Sequence, residues 1–439
     1  MHRSSFDAGH DIRAFASTLI LVGGLFGQGQ ALAQAQESEM PPLRGEYSPA
    51  AYPELARPYV IPDVSQKTVE DTQLDEKWFT LKLGLVSLLD YTAFDQDAVS
   101  LAQVGRQDDE LEVRSARVMF RGKVGNEHAI DYKVAAEYKG FDTEPGDLWS
   151  LTDLALTFHP FGPGTEITVG KTKETFGYEM VGDAANLPQQ ERVLSPFFAS
   201  RSTGVKIMKV FGELQHMTAA FGIFDSDWLS NGSSSSRGTD VTARVTGLLW
   251  DDVDANRFMH VGVAVRRRGA DGDVLRYSGR PESNVSDNFV DTGEFTADHA
   301  WHLGLEALWN SGPYSLLFEH HQAWTDSPEN GDPHFGGYYV TASWVVTGET
   351  RPYDRTVGYA RRVMPTGHWG APEIVARYSN VDLDDGAIQG GKFDKIYLGV
   401  NWWATRRWKL GAGWGRTWLE RFGDKGVTDS FLARTQWVF

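Results

Sequence analysis

Cysteine is absent from the 439 residues. Its absence removes disulfides and thiolate metal sites. Long hydrophobic runs are missing as well. Beyond residue 35 no apolar stretch of about 18 residues occurs, so no transmembrane helix is expected. Mean hydropathy is only −0.36. Positive charge is in deficit, with a formal net charge of −17, which argues against bulk nucleic-acid binding. Nothing has the spacing of a catalytic or metal-binding constellation. Gly411-Ala-Gly-Trp-Gly sits in an alternating segment with no helix after it, which sets a nucleotide loop aside. His320 and His321 follow Glu319, but adjacent strand residues point to opposite faces and do not easily share one ion. No enzyme activity, metal or cofactor is expected.

What is present is glycine (46), tryptophan (15) and tyrosine (15), the aromatics placed near the ends of alternating segments. That is the pattern of a membrane-spanning β-barrel. Residues 1–33 read as a signal peptide. Arg3 and Arg13 precede the apolar run Phe15 to Phe26, and Ala31-Leu32-Ala33 has the small-x-small form of a cleavage site. Residues 34–77 are polar and proline-rich, an extended periplasmic segment. From Trp78 to Phe439 the chain divides into sixteen alternating segments, an all-β, antiparallel transmembrane barrel. Gly125-Asn126, Gly212-Glu213, Ser311-Gly312 and Thr405-Arg406 mark short inner turns. The Ser226–Gly238 and Gly269–Ala297 connections are long and polar, hence outward. Gly348–His368 is long where a short turn is due.

Alternate residues of such a wall meet lipid and lumen. When the apolar parity of each strand faces lipid, Arg117, Arg121, Lys123, Lys133, Lys139, Arg244, Arg266, Arg268, Arg377, Lys395 and Arg434 face inward. Asp108-Asp109-Glu110, Asp251-Asp252 and Asp382-Leu383-Asp384-Asp385 fall in loops. The lumen is therefore richer in cations than the chain as a whole, which favours anions. Each inward arginine has an alternative role, pairing across the wall with Asp131, Glu137, Asp153, Glu306 or Glu319.

Between strand Glu166–Thr172 and strand Thr203–Phe211 lie about thirty residues without strand alternation, long enough to be functional. Phe176, Tyr178, Met180, Leu187, Val193, Leu194, Phe197 and Phe198 give this connection packing surface. Lys171-Thr-Lys-Glu-Thr-Phe-Gly-Tyr-Glu, then Glu191-Arg192, then Arg201 before Gly204-Val205, resemble the phosphate-selective porin O and P family. The likeness recurs at Tyr339-Val-Thr-Ala-Ser-Trp and at Ile374-Val-Ala-Arg-Tyr-Ser. The resemblance implies an outer-membrane channel for phosphate, polyphosphate or other small anions, assembled as a homotrimer. It implies that this third extracellular loop folds into the lumen as the constriction, with Lys171, Lys173, Arg192 and Arg201 at the narrowing. Lys206 joins the lumen path. Glu174, Glu179, Asp183 and Glu191 mix the sign of the loop and leave a weakly selective general porin open. Other readings of the barrel are an adhesin using Gly269–Ala297 or a hydrolase at the rim.

Overall fold

The computed structural model describes residues 73–125, 129–138, 148–162, 164–212, 216–225, 238–270 and 272–439. The expected signal peptide, residues 34–72, Lys139 and most of the Ser226–Gly238 loop lie outside them.

Sixteen strands pair in sequence order and close on themselves. They are β1 (Phe79–Gln96), β2 (Glu110–Val124), β3 (Ile130–Tyr138), β4 (Trp149–Phe158), β5 (Thr165–Thr172), β6 (Ser202–Phe211), β7 (Met217–Asp225) and β8 (Thr239–Asp252). Then follow β9 (Arg257–Gly269), β10 (His299–Ser311), β11 (Tyr314–Asp326), β12 (His334–Val345), β13 (Ala371–Asp385), β14 (Ile388–Trp403), β15 (Trp408–Arg421) and β16 (Asp424–Val438). The last meets the first, from Val86 against Val438 to Gln96 against Thr428, so neither edge is left unpaired. Gln73–Glu76, expected in an extended segment, forms a short strand antiparallel to the start of β1.

The outside is organised by lipid. Ile396, Leu398, Val400 and Trp402 alternate outward on β14 and are exposed, while Lys395, Tyr397 and Asn401 between them are buried. Trp149, Trp301, Trp324 and Trp418 mark the outer end of the barrel. Trp250, Trp309, Trp344, Trp402 and Trp408 mark the inner end; all are exposed. Trp408 and Trp418 are ten residues apart on one strand. At a rise of roughly 3.3 Å per residue and a tilt near 40°, that separates the belts by about 25 Å, the height of a lipid-facing band.

Several strands run past the expected bounds. β12 is shifted toward its N-terminal side, to His334. β14 begins at Ile388, β15 continues to Arg421 and β16 begins at Asp424. Above the lipid no apolar parity is enforced, so charged pairs such as Lys425–Glu420 carry the ladder onward unseen by pattern. Phe422 and Gly423 both take positive φ, the two-residue turn that matches strand twist.

Besides the long connection between β5 and β6, two others enter the barrel. Residues 270–298, expected as a polar outward loop, bury Tyr277, Phe289, Val290 and Phe295. Tyr277 packs on Phe335 of β12 with ring centroids 5.2 Å apart. The 346–370 connection carries a small hairpin, Tyr353–Asp354 against Tyr359–Ala360. Tyr353 Oη lies 2.7 Å from His260 Nδ1 of β9, and Arg244 of β8 donates to Val357 O. The exception to the short inner turns is thus a segment folded up into the barrel.

Leu398 lies midway between the belts and is half exposed. Leu398→Arg is expected to destabilise the bilayer-embedded barrel by roughly 2–4 kcal/mol, read by denaturant unfolding and refolding in lipid. Leu398→Ala should cost clearly less.

Candidate functional site

Residues 173–201 leave β5, cross to the opposite wall and return to β6. Lumen-facing side chains of distant strands hold them. On β11, Glu319 accepts the amides of Tyr178 (2.6 Å) and Glu179 (3.2 Å) at the start of a one-turn helix, Tyr178–Val181. Gly177 precedes it with φ near 80°, and a Cβ there would stand 2.9 Å from His321 Cε1. Glycine is required by both backbone and space. Arg377 of β13 binds Glu179 at 2.8 Å. Asn401 of β14 and Lys409 of β15 donate to Pro188 O and Leu187 O. Arg434 of β16 donates to Gln190 O and pairs with Glu191 at 2.8 Å. Arg266 of β9 pairs with Glu174 at 3.1 Å. The inner hairpin closes from below, where Ala360 N donates to Tyr178 Oη.

The loop is therefore fastened chiefly to β9, β11 and β13–β16, and the space left open lies against β1–β3. This cavity, of about 230 Å³, is lined by Arg114, Arg117, Arg121, Lys133, Lys173, Arg192, Arg201, Arg361 and Arg362, with Glu137 and Asp183 as its carboxylates. Nine cations face two acids in a chain of net charge −17.

Local geometry sets how each cation is presented. Arg117 pairs with Glu137 at 2.6 Å, and Ser115 Oγ donates to the same carboxylate. Lys133 (2.9 Å) and Arg201 (3.2 Å) share Asp153. Arg192 donates to the carbonyls of Glu179 and Gly182, so its charge meets backbone dipoles and no carboxylate there. Arg114 Nε lies 2.6 Å from Glu191. Burial raises the Glu191 carboxyl, but Arg114 and Arg434 outweigh that and hold it down at about 2. Burial pushes the Lys173 ammonium down to about 7, with Asp183 at 2.9 Å pulling the other way. Burial also acts to raise Asp183, yet Lys173, Lys133 and Arg117 keep it well below the usual carboxylate range.

Of the sequence-derived positions, Lys173, Arg192, Arg201, Arg117, Arg121 and Lys133 come together at this cavity. The others face inward or sit near it but do not line it. Lys171 is buried on β5. Lys206 donates to Lys173 O from beside the loop. Lys123 pairs with Asp131 at the inner end. Arg268 donates to Arg276 O and lies over Tyr277. Arg244 pairs with Glu306, Arg266 with Asp240, Arg377 with Glu282, Lys395 with Pro281 O and Arg434 with Asp90. Of these five, Arg244, Arg266 and Arg434 pair with acids of the wall, Glu306 among the acids named above, while Arg377 and Lys395 are held by the 270–298 connection.

Arg114, Arg361 and Arg362 were missed. On β2 a bulge places Leu88 opposite Ser115 and Leu89 opposite Val113, so Arg114 is the extra residue. Arg114 and Ser115 both turn inward. The signal was present: Leu111 and Val113 are apolar on odd positions, Ala116, Val118 and Phe120 on even ones. A second bulge on β4 turns Thr152 and Asp153 inward together. Arg361 and Arg362 belong to the 346–370 connection, which carries no strand period.

A family model described as phosphate-selective porin O and P matches residues 82–416. Porin O of Pseudomonas aeruginosa is 22% identical over 407 residues, covering 83% of this chain and 89% of that protein. Among solved structures, OmpT, an outer membrane protein of Vibrio cholerae, aligns with a TM-score of 0.52 at 11% identity over 84% of this chain and 99% of its own. An anion-selective porin from Comamonas acidovorans aligns with a TM-score of 0.51 at 13% identity, over 82% of this chain and 100% of its own. These structural likenesses bear on the fold, a sixteen-stranded outer-membrane barrel. With its family model matched from β1 to β15, the chain belongs to the phosphate-selective porin O and P family of the bacterial outer membrane.

Proposed function

We propose that this barrel is a passive channel for small anions, inorganic phosphate among them, and that the anions pass along the β1–β3 side of the lumen. The observation that carries the reading is the excess of nine cations over two carboxylates around the open cavity. Two unit charges about 4 Å apart interact by roughly 4 kcal/mol at an effective dielectric near 20. Salt screens charges beyond about 8–10 Å, so acids on the outer loops weigh little at the cavity. Guanidinium groups offer paired donors to a phosphate, and several in sequence allow transfer from one to the next. Residues 173–201 form the narrowing, with Lys173, Arg192 and Arg201 on its open edge. The reading is one of diffusion, with no bond made or broken, in the homotrimer that the family resemblance implies. A mass measurement in mild detergent that finds monomers alone would remove the trimer and leave the channel.

Wild type is expected to prefer anions in the zero-current potential across a KCl gradient, with chloride current blocked by phosphate. Arg192→Gln with Arg201→Gln should lower the anion-to-cation permeability ratio severalfold. Arg244→Gln should hardly move that ratio. It leaves Glu306 buried with one partner fewer, so it is expected to destabilise the folded barrel by roughly 3–5 kcal/mol. A cation-selective wild type would overturn the reading.

A pH dependence follows from Lys173. An amine whose pKa is lowered to about 7 is charged below that pH and neutral above it. Lys173 faces Asp183, Arg192, Arg201 and Lys206, none of which offsets the loss of its charge by gaining one. Anion preference should therefore decline as pH rises through 7, and Lys173→Gln should flatten the decline. Zero-current potentials from pH 5.5 to 8.5 measure both.

A further inference from the structure

One acid is out of place in this cationic cavity. Asp183 begins a short 3-10 turn, Ala184–Asn186, where an aspartate ordinarily accepts a backbone amide of the turn. Here its side chain makes no such bond. It points instead into the cavity, about half exposed, with Oδ1 accepting from Lys173 Nζ at 2.9 Å. Among the described residues, that ammonium is the hydrogen-bond donor to its carboxylate. Glu137, the other acid of the cavity, is buried and engaged by both Arg117 and Ser115. Of the two acidic side chains lining the cavity, Asp183 is therefore the one with a carboxylate oxygen open to whatever enters, among cations that would bind any anion.

A carboxylate beside an anion site repels an aprotic anion and accepts a hydrogen bond from a protonated one. Phosphate and arsenate keep at least one O–H near neutral pH; sulfate keeps none. We infer that Asp183 is the specificity-determining residue of the path, accepting the O–H of protonated tetrahedral oxyanions and turning away unprotonated ones. The surrounding cations supply attraction common to all of them, and Lys173 fixes the carboxylate by one oxygen so that the other faces the ion. A water takes about 30 Å³ in the liquid. The cavity of about 230 Å³ thus admits a four-oxygen anion with some of its waters. Neighbouring cations keep Asp183 ionised, hence an acceptor only, through the pH range in which phosphate is protonated. This inference rests on the anion channel proposed above.

The test is block of chloride current through the full-length protein in planar bilayers at pH 7, by phosphate, arsenate and sulfate. In wild type the half-blocking concentration of sulfate should exceed those of phosphate and arsenate by about tenfold or more, since sites built around a substrate hydroxyl reject analogues lacking it strongly. In Asp183→Asn, sulfate block should tighten by about tenfold and phosphate block change by less than about threefold, so the gap closes. Asp183→Glu keeps the acceptor and should keep the gap. Equal tightening for all three anions in Asp183→Asn would reduce Asp183 to a general negative charge and overturn the inference. Equal block of wild type by sulfate and phosphate would do the same while leaving the anion channel standing. A chloride-conducting wild type that no oxyanion blocks would overturn the inference and the place of phosphate among the anions carried, and a cation-selective wild type would overturn the channel reading itself. If Asp183→Asn forms no channels, Asp183→Glu decides: a retained gap supports the assignment and a lost gap removes it.

Discussion

A loop of some thirty residues stays inside this barrel because buried carboxylates of the loop and the wall meet guanidinium groups across the lumen. Glu191 lies between Arg114 and Arg434, Glu174 meets Arg266, and Arg377 binds both Glu179 and Glu282. Such pairs add little net stability over an apolar core, but losing one partner is expensive. They suit a structure that must keep one arrangement of chain in a space wet from both ends. Everything else about the lumen follows from where they lie. Most of the fasteners, on β9, β11 and β13–β16, draw the loop to one side, and a cavity remains open on the other.

The same chemistry thus serves two ends according to geometry. Arg377 sits fully buried with two carboxylates and the ring of Tyr339 within 3.7 Å of its centre. It is a rivet. Arg192, which meets the backbone of the same Glu179, donates to two carbonyls and borders the cavity. Strand parity put Arg377 inside the lumen and the family resemblance put Arg192 at the narrowing, but neither separated the roles, because a face or a motif position says nothing about a side chain's partners. The partners come from loops, and their seats are set by contacts between residues far apart in the chain.

The barrel itself was legible. Sixteen alternating segments correspond one for one to the strands, since lipid enforces a period of two wherever it touches the wall. Where lipid stops, legibility stops. The upper ends of β14, β15 and β16 were placed short, and the 270–298 connection was read as outward because its polar residues outnumber Tyr277, Phe289 and Phe295. Tyr277 and Phe295 nonetheless find a seat on Phe335, and Tyr277 also on His302. At the site, the loop cations Lys173, Arg192 and Arg201 were found through family resemblance. Arg114 was hidden by the assumption of unbroken alternation, and Arg361 and Arg362 by a connection with no period at all.

The bulge at Arg114 carries a consequence for how such pores can change over time. A point substitution that adds a charge to the lumen must replace a residue already there. A single inserted residue in one strand instead slips the phase of everything beyond it, and the slip places two neighbours side by side on the inner surface without removing any apolar residue from the outer one. Val113 and Ala116 still meet lipid on either side of Arg114 and Ser115. A barrel wall can therefore gain pore chemistry by insertion, strand by strand, at no loss of its hold on the membrane. A second bulge, at Thr152 and Asp153 of β4, shows the same arithmetic used again, for an acid that holds two of the cavity's cations.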